Sequence, residues 1–494
     1  MVNEMQKTKL IILDEVNCKF EGLDASIIRE LVKRNEIFDP ANKYIPSVRM
    51  GRWSGNKQYF FLNGHSFVNL LPEIIDYLIS QNIEIELEDT RTYNREFSFD
   101  PIDKNYLAND GIVWPDGHQL AGQPVVLRDH QVDAVNAFLD NKQGIAVLPT
   151  SSGKTLDVCV LSKKVEKYGR SIVIVPNKDL ITQTEEYYRT FGLDVGVYYG
   201  DRKQFFTKHV ISTWQSLEKL RQKPIDIGLD EPITFEKFMD GMVAVIVDEC
   251  HGIAADKLSS LLTKELSKVP IRWALSGTLP KDKHNLINLT IAIGDEFHKI
   301  YTTDLQDKGI LSKCDVNVLQ LIDSKEFSSY ANEYDFLVTN KPRLEYISKL
   351  IQESGKTGNV LVLVGRKETG RELEKLIAGS IFLSGSNNSK ERKSHYDEVK
   401  TSDSKIIIAT FGIAAVGLDL PRLSSLYLIE CGKSYIKVVQ SIGRILRTAF
   451  DKNYALVWDI CSSCRYSKTH LTQRKKWYKE QGFPFTITKI NWQQ

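Results

Sequence analysis

The sequence predicts an α/β fold with two tandem domains, each built on a parallel sheet, and a small α+β domain before them. From about Leu127, short apolar runs alternate with amphipathic helical stretches, as in a parallel sheet covered by helices on both faces. The first series of runs is GIAVLP, SIVIVP, HVIST, MVAVIV and RWALSGT. The pattern breaks near residues 300–320 and resumes with NVLVLV, KIIIAT, SSLYLI and YALVWDI, which indicates a second domain.

The N-terminal region has a different pattern. It mixes short β-like runs, such as LIILD and IEIELED, with helical stretches, which indicates a separate α+β domain. We therefore expect an accessory domain over residues 1–115, a first α/β domain over 116–305 and a second over 306–494. Residues 222–240 interrupt the first α/β domain, and we expect them to form a surface insertion.

Composition excludes several classes of protein. The 494 residues are 42% hydrophobic and 26% charged, no apolar stretch approaches 18 residues, and the first residues do not resemble a signal peptide. We expect a cytoplasmic monomer without a membrane segment. The seven cysteines are scattered, which favours reduced thiols. Cys461 and Cys464 form one CxxC with no second pair nearby, so structural thiols are favoured over a zinc site.

Charge is distributed unevenly along the chain. Residues 1–115 carry 13 Lys and Arg against 18 Asp and Glu, whereas residues 433–494 carry 12 against 3. A basic C-terminal segment suits a polyanionic partner. The alternative for residues 465–479 is a solvated helix face.

The string LPTSSGKT at 148–155 predicts a phosphate-binding loop, because it lies between an apolar strand-like run and a helical stretch. Backbone N–H groups of the turn and the helix N-terminus would face phosphate oxygens, and Gly153 lets the backbone pass close to them. Lys154 would neutralise the β and γ phosphates, and the Thr155 hydroxyl would ligate Mg²⁺. The residues expected to hold ATP here are Thr150, Ser151, Ser152, Gly153, Lys154 and Thr155.

The string VDECH at 247–251 follows the apolar run MVAVIV. Asp248 would hold Mg²⁺ through water, and Glu249 would orient and deprotonate the attacking water. The alternative is that the two carboxylates cap a helix. Together with the phosphate loop, the pair predicts an ATPase that uses Mg²⁺.

The motifs, taken in order, resemble those of the superfamily 2 helicases. These are the phosphate loop, DECH, SGT at 276–278 and QSIGRILR at 440–447, and the likeness covers about 370 residues. It implies two RecA-like domains that bind ATP. DECH, SGT and Gln440 depart from the DEAD-box pattern. The string SVRMGRWSGNKQYFFLNGHSFVNLLPEII in the N-terminal region resembles a segment of the UvsW-like phage branch-migration helicases.

The resemblance implies further site residues. Arg128 and Gln131 in LRDHQ would lie near the adenine, Gly417 and Asp419 would lie on the nucleotide side of ATFGIAAVGLDLP, and Ser276 and Thr278, with His251, would couple hydrolysis to domain movement. Gln440, Arg444 and Arg447 would act at the γ-phosphate, the arginines as fingers that stabilise the transition state. The alternative for these arginines is surface salt bridges. The residues implied to contact DNA are Pro176, Asn177, Thr213, Trp214, Gln215, Arg366 and Thr410.

The N-terminal segment that carries the resemblance mixes positive charge with flat rings, which suits phosphate contact and base stacking. Arg52 and Trp53 are the residues expected to bind DNA there, and the alternative is a hairpin whose aromatics, Tyr59 and Phe60 among them, fill a small core. We expect a DNA motor that uses ATP and Mg²⁺ to remodel branched, forked or four-way DNA, and also RNA:DNA hybrids. The alternatives are an RNA-directed helicase, a translocating subunit of a restriction enzyme, or a nucleic-acid clamp that has lost its ATPase.

Overall fold

The computed structural model describes residues 6–493 except 117, 119, 227, 229–230, 255, 386, 388–393, 397, 400, 415–419, 421 and 450–451. Contacts within the chain divide it into two compact units. The first unit is Met1–Val147 with Thr155–Lys299, and the second is Leu148–Lys154 with Ile300–Gln494. The predicted phosphate loop therefore groups with the second unit, and the N-terminal region groups with the first α/β sheet.

The N-terminal region folds around a four-stranded sheet of order β5-β2-β1-β6 and a two-stranded sheet, β3-β4. Of its helices, α3 buries Ile74 and Leu78, which lie four residues apart and so share one face. The strands are β1 (Lys7–Ile12), β2 (Asn17–Glu21), β3 (Glu36–Phe38), β4 (Asn56–Gln58), β5 (His65–Phe67) and β6 (Glu84–Asp89). The helices are α1 (Ala25–Arg34), α2 (Pro46–Arg49), α3 (Leu71–Ser80) and α4 (Tyr106–Asn109).

The rest of the first unit is an eight-stranded sheet of order β10-β9-β11-β8-β12-β13-β7-β14, in which β10 alone of the described strands runs antiparallel to its neighbour. The strands are β7 (Gln143–Val147), β8 (Arg170–Val175), β9 (Val195–Tyr199), β10 (Arg202–Lys203), β11 (His209–Thr213), β12 (Met242–Asp248), β13 (Ile271–Ser276) and β14 (Glu296–Lys299). The helices are α5 (Asp129–Asp140), α6 (Lys154–Val165), α7 (Lys178–Thr190), α8 (Trp214–Gln222), α9 (Phe235–Met239), α10 (Asp256–Ser260) and α11 (Lys283–Ile293).

The N-terminal region is fixed to α11 of this sheet. Tyr59 Oη donates a hydrogen bond to Asn288 Oδ1 at 3.0 Å, and Asn69 Nδ2 donates to the carbonyl of Thr290 at 2.9 Å. Ile291 of α11 is buried in the core of the N-terminal region. The N-terminal region therefore packs on α11 through these hydrogen bonds and through Ile291.

The second unit is a seven-stranded parallel sheet of order β17-β18-β16-β19-β20-β15-β21. The strands are β15 (Lys313–Leu321), β16 (Asn359–Val364), β17 (Ile381–Leu383), β18 (Ile406–Thr410), β19 (Leu423–Ile429), β20 (Tyr454–Ser462) and β21 (Phe485–Ile490). The helices are α12 (Thr302–Asp307), α13 (Tyr330–Thr339), α14 (Lys341–Gly355), α15 (Lys367–Leu376), α16 (Phe411–Ala414), α17 (Tyr435–Ile445) and α18 (Arg465–Glu480).

The structure confirms the predicted α/β class with two parallel sheets and a small N-terminal α+β region. One expectation was wrong: residues 222–240 are not simply a surface insertion, because Ile233, Phe235 and Phe238 are buried in the core of the first unit. The residues expected as structural thiols, Cys461 and Cys464, are buried. Within the described residues, every helix is too short or too polar to span a lipid bilayer.

Candidate functional site

The predicted phosphate loop has the backbone that such a loop requires. It connects the end of β7 to Lys154, the first residue of α6. Ser151 and Gly153 have φ angles of 71° and 102°, in the left-handed region that turns successive N–H groups toward one side. The Lys154 side chain is buried, and its Nζ donates to the carbonyls of Leu148 and Pro149 at 3.3 and 3.4 Å. The ammonium group is thus held inside the curve of its own loop.

One of the predicted arginine fingers contacts this loop within the second unit. Arg447 Nε donates to Ser151 Oγ at 2.9 Å, and Ser151 Oγ donates to the carbonyl of Gly443 at 3.2 Å. A Cβ at position 443 would lie 2.6 Å from Thr150 Cβ, so the glycine of QSIGRILR allows α17 to approach the loop. Gln440 and Arg444 are buried on the same helix. All three residues predicted to act at the γ-phosphate therefore lie on α17 or just after it.

The carboxylates of DECH follow β12 in the first unit. Asp248 is its last residue and is buried, and its Oδ1 accepts a hydrogen bond from the N–H of Glu249 at 2.9 Å. Glu249 has a φ of 54°, which is uncommon for a residue with a side chain and is typical of functional turns. The two carboxylates do not cap a regular α-helix here, since a short 3₁₀ segment, Cys250–Ala254, follows them.

The residues predicted for coupling surround Glu249. Ser276 Oγ lies 3.3 Å from Glu249 Oε2, 3.2 Å from His251 Nδ1 and 2.9 Å from the carbonyl of Thr278. A hydroxyl carries one proton, so Ser276 can donate to the Glu249 carboxylate or to the Thr278 carbonyl but not to both at once. Ser276 therefore lies between Glu249, the predicted catalytic base, and the segment after β13.

The predicted adenine element forms the start of α5. Gln131 is buried; its Oε1 accepts from the N–H of Arg128 at 3.1 Å, and its Nε2 donates to Asp157 Oδ1 at 3.1 Å. Asp157 lies in the first turn of α6 and was not predicted. Its spacing of three residues from Lys154 was the available signal, because that spacing places both near the loop end of one helix.

The first-unit residues expected to contact DNA occupy helix N-termini. Asn177 caps α7, its Oδ1 accepting from the N–H groups of Asp179 and Leu180 at 3.0 and 3.1 Å, and follows Pro176. The buried Nδ2 of Asn177 makes no hydrogen bond within the described residues. Thr213 caps α8, where Trp214 packs on the core and Gln215 is exposed. Helix N-termini suit contact with phosphates.

In the second unit, Arg366 follows β16 and Thr410 ends β18, and these two strands are neighbours. The Arg366 guanidinium pairs with Asp335 and lies 5.2 Å from the ring centre of Tyr334. Gly417 and Asp419 lie outside the described residues, so the expectation for them stays a prediction.

The N-terminal aromatics divide into two groups. Tyr59 and Phe60 are buried in the core of the N-terminal region, which is the packing role predicted as the alternative to DNA binding. Trp53 is 41% exposed and Arg52 is exposed beside it. The carbonyl of Ser47 accepts hydrogen bonds from the N–H groups of both residues, at 2.8 Å from Arg52 and 3.3 Å from Trp53, so their backbone is ordered against α2.

The side chains of the first unit suit a magnesium ion. Thr155 offers a hydroxyl at the start of α6 and Asp248 a carboxylate at the end of β12, and oxygen ligands of this kind are those that Mg²⁺ prefers. A bound ion would neutralise charge developing on the phosphates. Glu249 would keep the role of holding a water and accepting its proton.

Two family models match the chain. The model described as type III restriction enzyme, res subunit, matches residues 124–281, and the helicase conserved C-terminal domain matches residues 342–449. Between them they include the phosphate loop, DECH, SGT and the arginine motif up to Arg447.

Individual proteins are similar over most of the chain. The ATP-dependent DNA helicase uvsW of Enterobacteria phage T4 is 27% identical over 370 residues, which cover 70% of this chain and 71% of that protein. The general transcription and DNA repair factor IIH helicase/translocase subunit XPB of Enterocytozoon bieneusi (strain H348) is 22% identical, covering 74% of this chain and 63% of that protein. The structure of the Type ISP restriction-modification enzyme LlaBIII bound to DNA has a TM-score of 0.54 at 14% identity, covering 84% of this chain and 34% of that chain, and shows the shared fold.

Proposed function

Because the chain is a superfamily 2 helicase that resembles UvsW, and thus an ATP-hydrolysing enzyme, we propose that it remodels branched DNA in phage recombination and replication. The reactions are branch migration, fork regression and unwinding of D-loops and R-loops. The motor uses ATP with Mg²⁺, held by the phosphate loop, Thr155 and Asp248. Hydrolysis, with Glu249 as the base, drives the cycle of domain movement that steps the protein along DNA.

The observation that carries this proposal is the fixed position of the N-terminal segment. Trp53 and Met50 are 41% and 64% exposed, and Arg49 and Arg52 are exposed beside them, so charge and apolar surface face solvent together. This surface is not tethered by a flexible linker. The salt bridge from Lys57 to Asp39 at 3.0 Å braces the segment internally, and the hydrogen bond from Tyr59 to Asn288 holds it against α11.

A surface of this kind suits the point where a duplex opens. Arginines contact backbone phosphates of either strand, while a flat indole stacks on a base that has lost its partner. Because α11 begins five residues after Thr278, the branch-contacting segment and the coupling residues share one rigid neighbourhood of the first unit. We infer that the N-terminal segment selects the substrate and that the motor residues supply the force.

The test is an unwinding assay on four-way junctions, forked duplexes, plain duplexes and RNA:DNA hybrids at one fixed salt concentration, since affinity for nucleic acids changes steeply with salt. Wild-type protein is expected to unwind four-way junctions and forks fastest. Lys154→Ala is the motor-dead control: it should stay folded by circular dichroism, because its ammonium group lies in the loop, and should hydrolyse no ATP. Equal rates on all four substrates would refute the branched-DNA proposal.

The variant that addresses selection is Arg52→Ala with Trp53→Ala. Loss of one stacking contact costs about 1–3 kcal/mol, so the ratio of four-way-junction to plain-duplex unwinding should fall by roughly 5- to 150-fold. Arg29→Ala with Phe206→Ala is the matched control, since both residues are exposed on the same unit. If both double variants keep the wild-type ratio, the N-terminal segment does not read branches.

The second candidate is a translocating subunit of a restriction enzyme, which the res-subunit match over residues 124–281 favours. Such a subunit moves along duplex DNA without separating its strands. Displacement of a triplex-forming strand from an unbranched duplex, without release of single strands, would favour this candidate over the helicase.

A further inference from the structure

Four aromatic rings, that of Tyr334 among them, form a cluster at the carboxyl edge of the second sheet. The ring centre of Tyr330 lies 5.7 Å from that of Tyr334, 6.1 Å from Tyr466 and 4.9 Å from His470. We call these four residues the tyrosine platform. Tyr330 is 42% exposed, whereas His470 is buried. Tyr334, Tyr466 and His470 therefore support the ring of Tyr330 and leave part of that ring exposed to solvent.

The platform is seated directly on the ends of parallel strands. Gly365 follows β16, and any side chain there would collide with the hydroxyl of Tyr334. Gly432 follows β19 by three residues, and a Cβ there would lie 3.9 Å from the Tyr330 hydroxyl. The carboxyl edge of a parallel sheet is the usual place for ligands in open α/β folds.

Positive charge surrounds the platform. The Arg366 guanidinium lies over Tyr334, the Arg465 guanidinium lies 5.6 Å from the ring centre of Tyr466, and Lys433 and Lys468 are exposed nearby in sequence. Asp335 is an exposed acidic neighbour of the platform, and its negative charge is paired with Arg366. The surface as a whole is basic and aromatic, which suits a polyanion with flat bases.

The nearby acidic groups do not cancel this charge at the surface, because they are buried and turned inward. Glu333 accepts hydrogen bonds from the N–H groups of Tyr466 and Ser467 at 3.0 and 2.6 Å. Glu430 Oε1 accepts from Arg343 at 2.6 Å. Burial lowers the pKa of His470 to about 4, so this ring is neutral near pH 7 and packs as an aromatic group.

The platform is also ordered before any ligand arrives. Tyr330 is the first residue of α13, and Ser329 caps this helix by accepting from the N–H of Asn332 at 3.2 Å. Glu333, one turn further on, joins α13 to the N-terminus of α18. A ring held in this way loses little conformational freedom when a base stacks on it.

We infer that Tyr330 stacks on an unpaired base of a DNA single strand whose backbone Arg366 contacts. The tyrosine platform is thus a base-stacking site of the second unit. This inference rests on the proposed function, in which the substrate is DNA, and adds a contact to bases where the predicted contacts of this unit are to the backbone.

The test measures affinity for two oligonucleotides of equal length and charge, one of thymidines and one of abasic residues, at fixed salt. Tyr330→Leu keeps an apolar side chain but removes the ring, and Tyr330→Phe keeps the ring. Tyr330→Leu should weaken binding to the thymidine strand by roughly 5- to 150-fold, the range for one stacked base, and leave abasic binding unchanged. Tyr330→Phe should bind both strands as wild type does.

Tyr454→Ala is the matched control, because Tyr454 is 43% exposed and begins β20, at the opposite edge of the same sheet. It should bind both strands as wild type does. Equal losses on the two strands for Tyr330→Leu, or no loss on either, would overturn the inference. The proposed function is judged separately: a wild-type protein that prefers the thymidine strand yet unwinds no branched DNA would refute that function and leave the stacking site standing.

Discussion

Two glutamates occupy the same position in the two parallel sheets and have opposite surroundings. Glu249 follows β12 in the first sheet, and Glu430 follows β19 in the second. Both have a left-handed backbone, with φ angles of 54° and 44°. For a residue with a side chain, this conformation costs on the order of 1–3 kcal/mol and persists where the surroundings compensate.

The compensation differs between the two sheets. Glu249 is half-buried, and its Oε2 lies 3.3 Å from both Ser276 Oγ and His251 Nδ1. Glu430 is buried, with Arg343 Nη2 at 2.6 Å and Ser467 Oγ at 2.8 Å. The same turn therefore presents a half-buried carboxylate, 3.3 Å from Ser276 and His251, in one sheet and a buried, tightly hydrogen-bonded carboxylate in the other. The first arrangement suits the role proposed for Glu249 as the base, and the second suits a rigid support for the tyrosine platform.

The largest effect is expected for Glu249→Gln. The amide keeps the shape of the side chain but cannot accept a proton from water, so ATP turnover should fall by about 10²- to 10⁴-fold while ATP still binds. Thermal stability should change little, because the amide oxygen can still accept a hydrogen bond from Ser276 Oγ. Turnover and nucleotide affinity measured on one sample check this. Lost affinity with intact turnover per bound ATP would assign Glu249 another role.

Arg447→Ala and Arg444→Ala should each lower turnover by about 10³-fold, with modest effects on DNA affinity, if both act as fingers. Arg447 already contacts the loop through Ser151. Arg447→Lys keeps the charge but not the planar fork, and it should recover little of the loss. A variant that loses DNA affinity instead would place its arginine on the nucleic-acid side. The two losses need not add, since both side chains would contact one phosphate.

The residues of the candidate site were largely predictable, and those that lock Glu430 were not. Asp248 and Ser276 could be found because each ends an apolar run, and strand ends share one edge of a parallel sheet. Arg343 and Arg474 lie on helices and would be expected to face solvent, yet both are buried. Their partners, Glu430 and Asp459, lie in distant segments, and only the fold brings them together.

The sequence of the N-terminal segment also does not distinguish its buried aromatic residues from its exposed one. Tyr59, Phe60 and Trp53 lie within eight residues, but the first two fill the core and the third is exposed. Their residue types are equally suited to stacking and to packing. Contacts with α11, such as that of Tyr59 with Asn288, decide which role each takes, and a local pattern carries no information about them.

Glu430→Gln should lower the free energy of unfolding, whereas Glu249→Gln should lower ATP turnover. The substitution removes the charge from one of two buried carboxylates beside Arg343, the other being Asp323 at 3.6 Å, and breaking a buried pair in this way costs about 3–5 kcal/mol. Burial raises the pKa of Glu430, while Arg343 and Ser467 oppose this shift. Because burial already disfavours the charged form of Glu430, we expect a loss of stability at the lower end of these 3–5 kcal/mol. Denaturant unfolding measures the loss. A variant as stable as Glu249→Gln would contradict the contrast between the two sheets.

The serines beside the two glutamates extend the same contrast with a smaller effect. Ser276→Ala removes the hydroxyl that exchanges between Glu249 and Thr278, so DNA unwinding per ATP hydrolysed should fall by about 10-fold, the value of a hydrogen bond to a charged group. Ser467→Ala, its matched control, should lower stability and leave unwinding per ATP unchanged. Both variants are compared by ATPase and unwinding rates on the same fork. Unchanged coupling in Ser276→Ala would show that its hydroxyl only packs.

The smallest effect concerns His470, which supports Tyr330 in the second unit. Its folded pKa is lowered to about 4, first by burial and then by Lys433 and Arg474, below the unfolded value of 6.5. The unfolded chain therefore binds this proton more readily, and stability should fall as pH falls from about 6.5 toward 4. Between pH 7.5 and 5.5 the loss is about 1 kcal/mol.

Glu430 contributes the opposite slope, since a raised carboxyl pKa favours the folded state at low pH. The comparison is therefore between wild type and His470→Phe, which keeps the ring beside Tyr330 but cannot titrate. The variant should lose less stability between these pH values, and an unchanged slope would mean that His470 titrates normally in the folded protein.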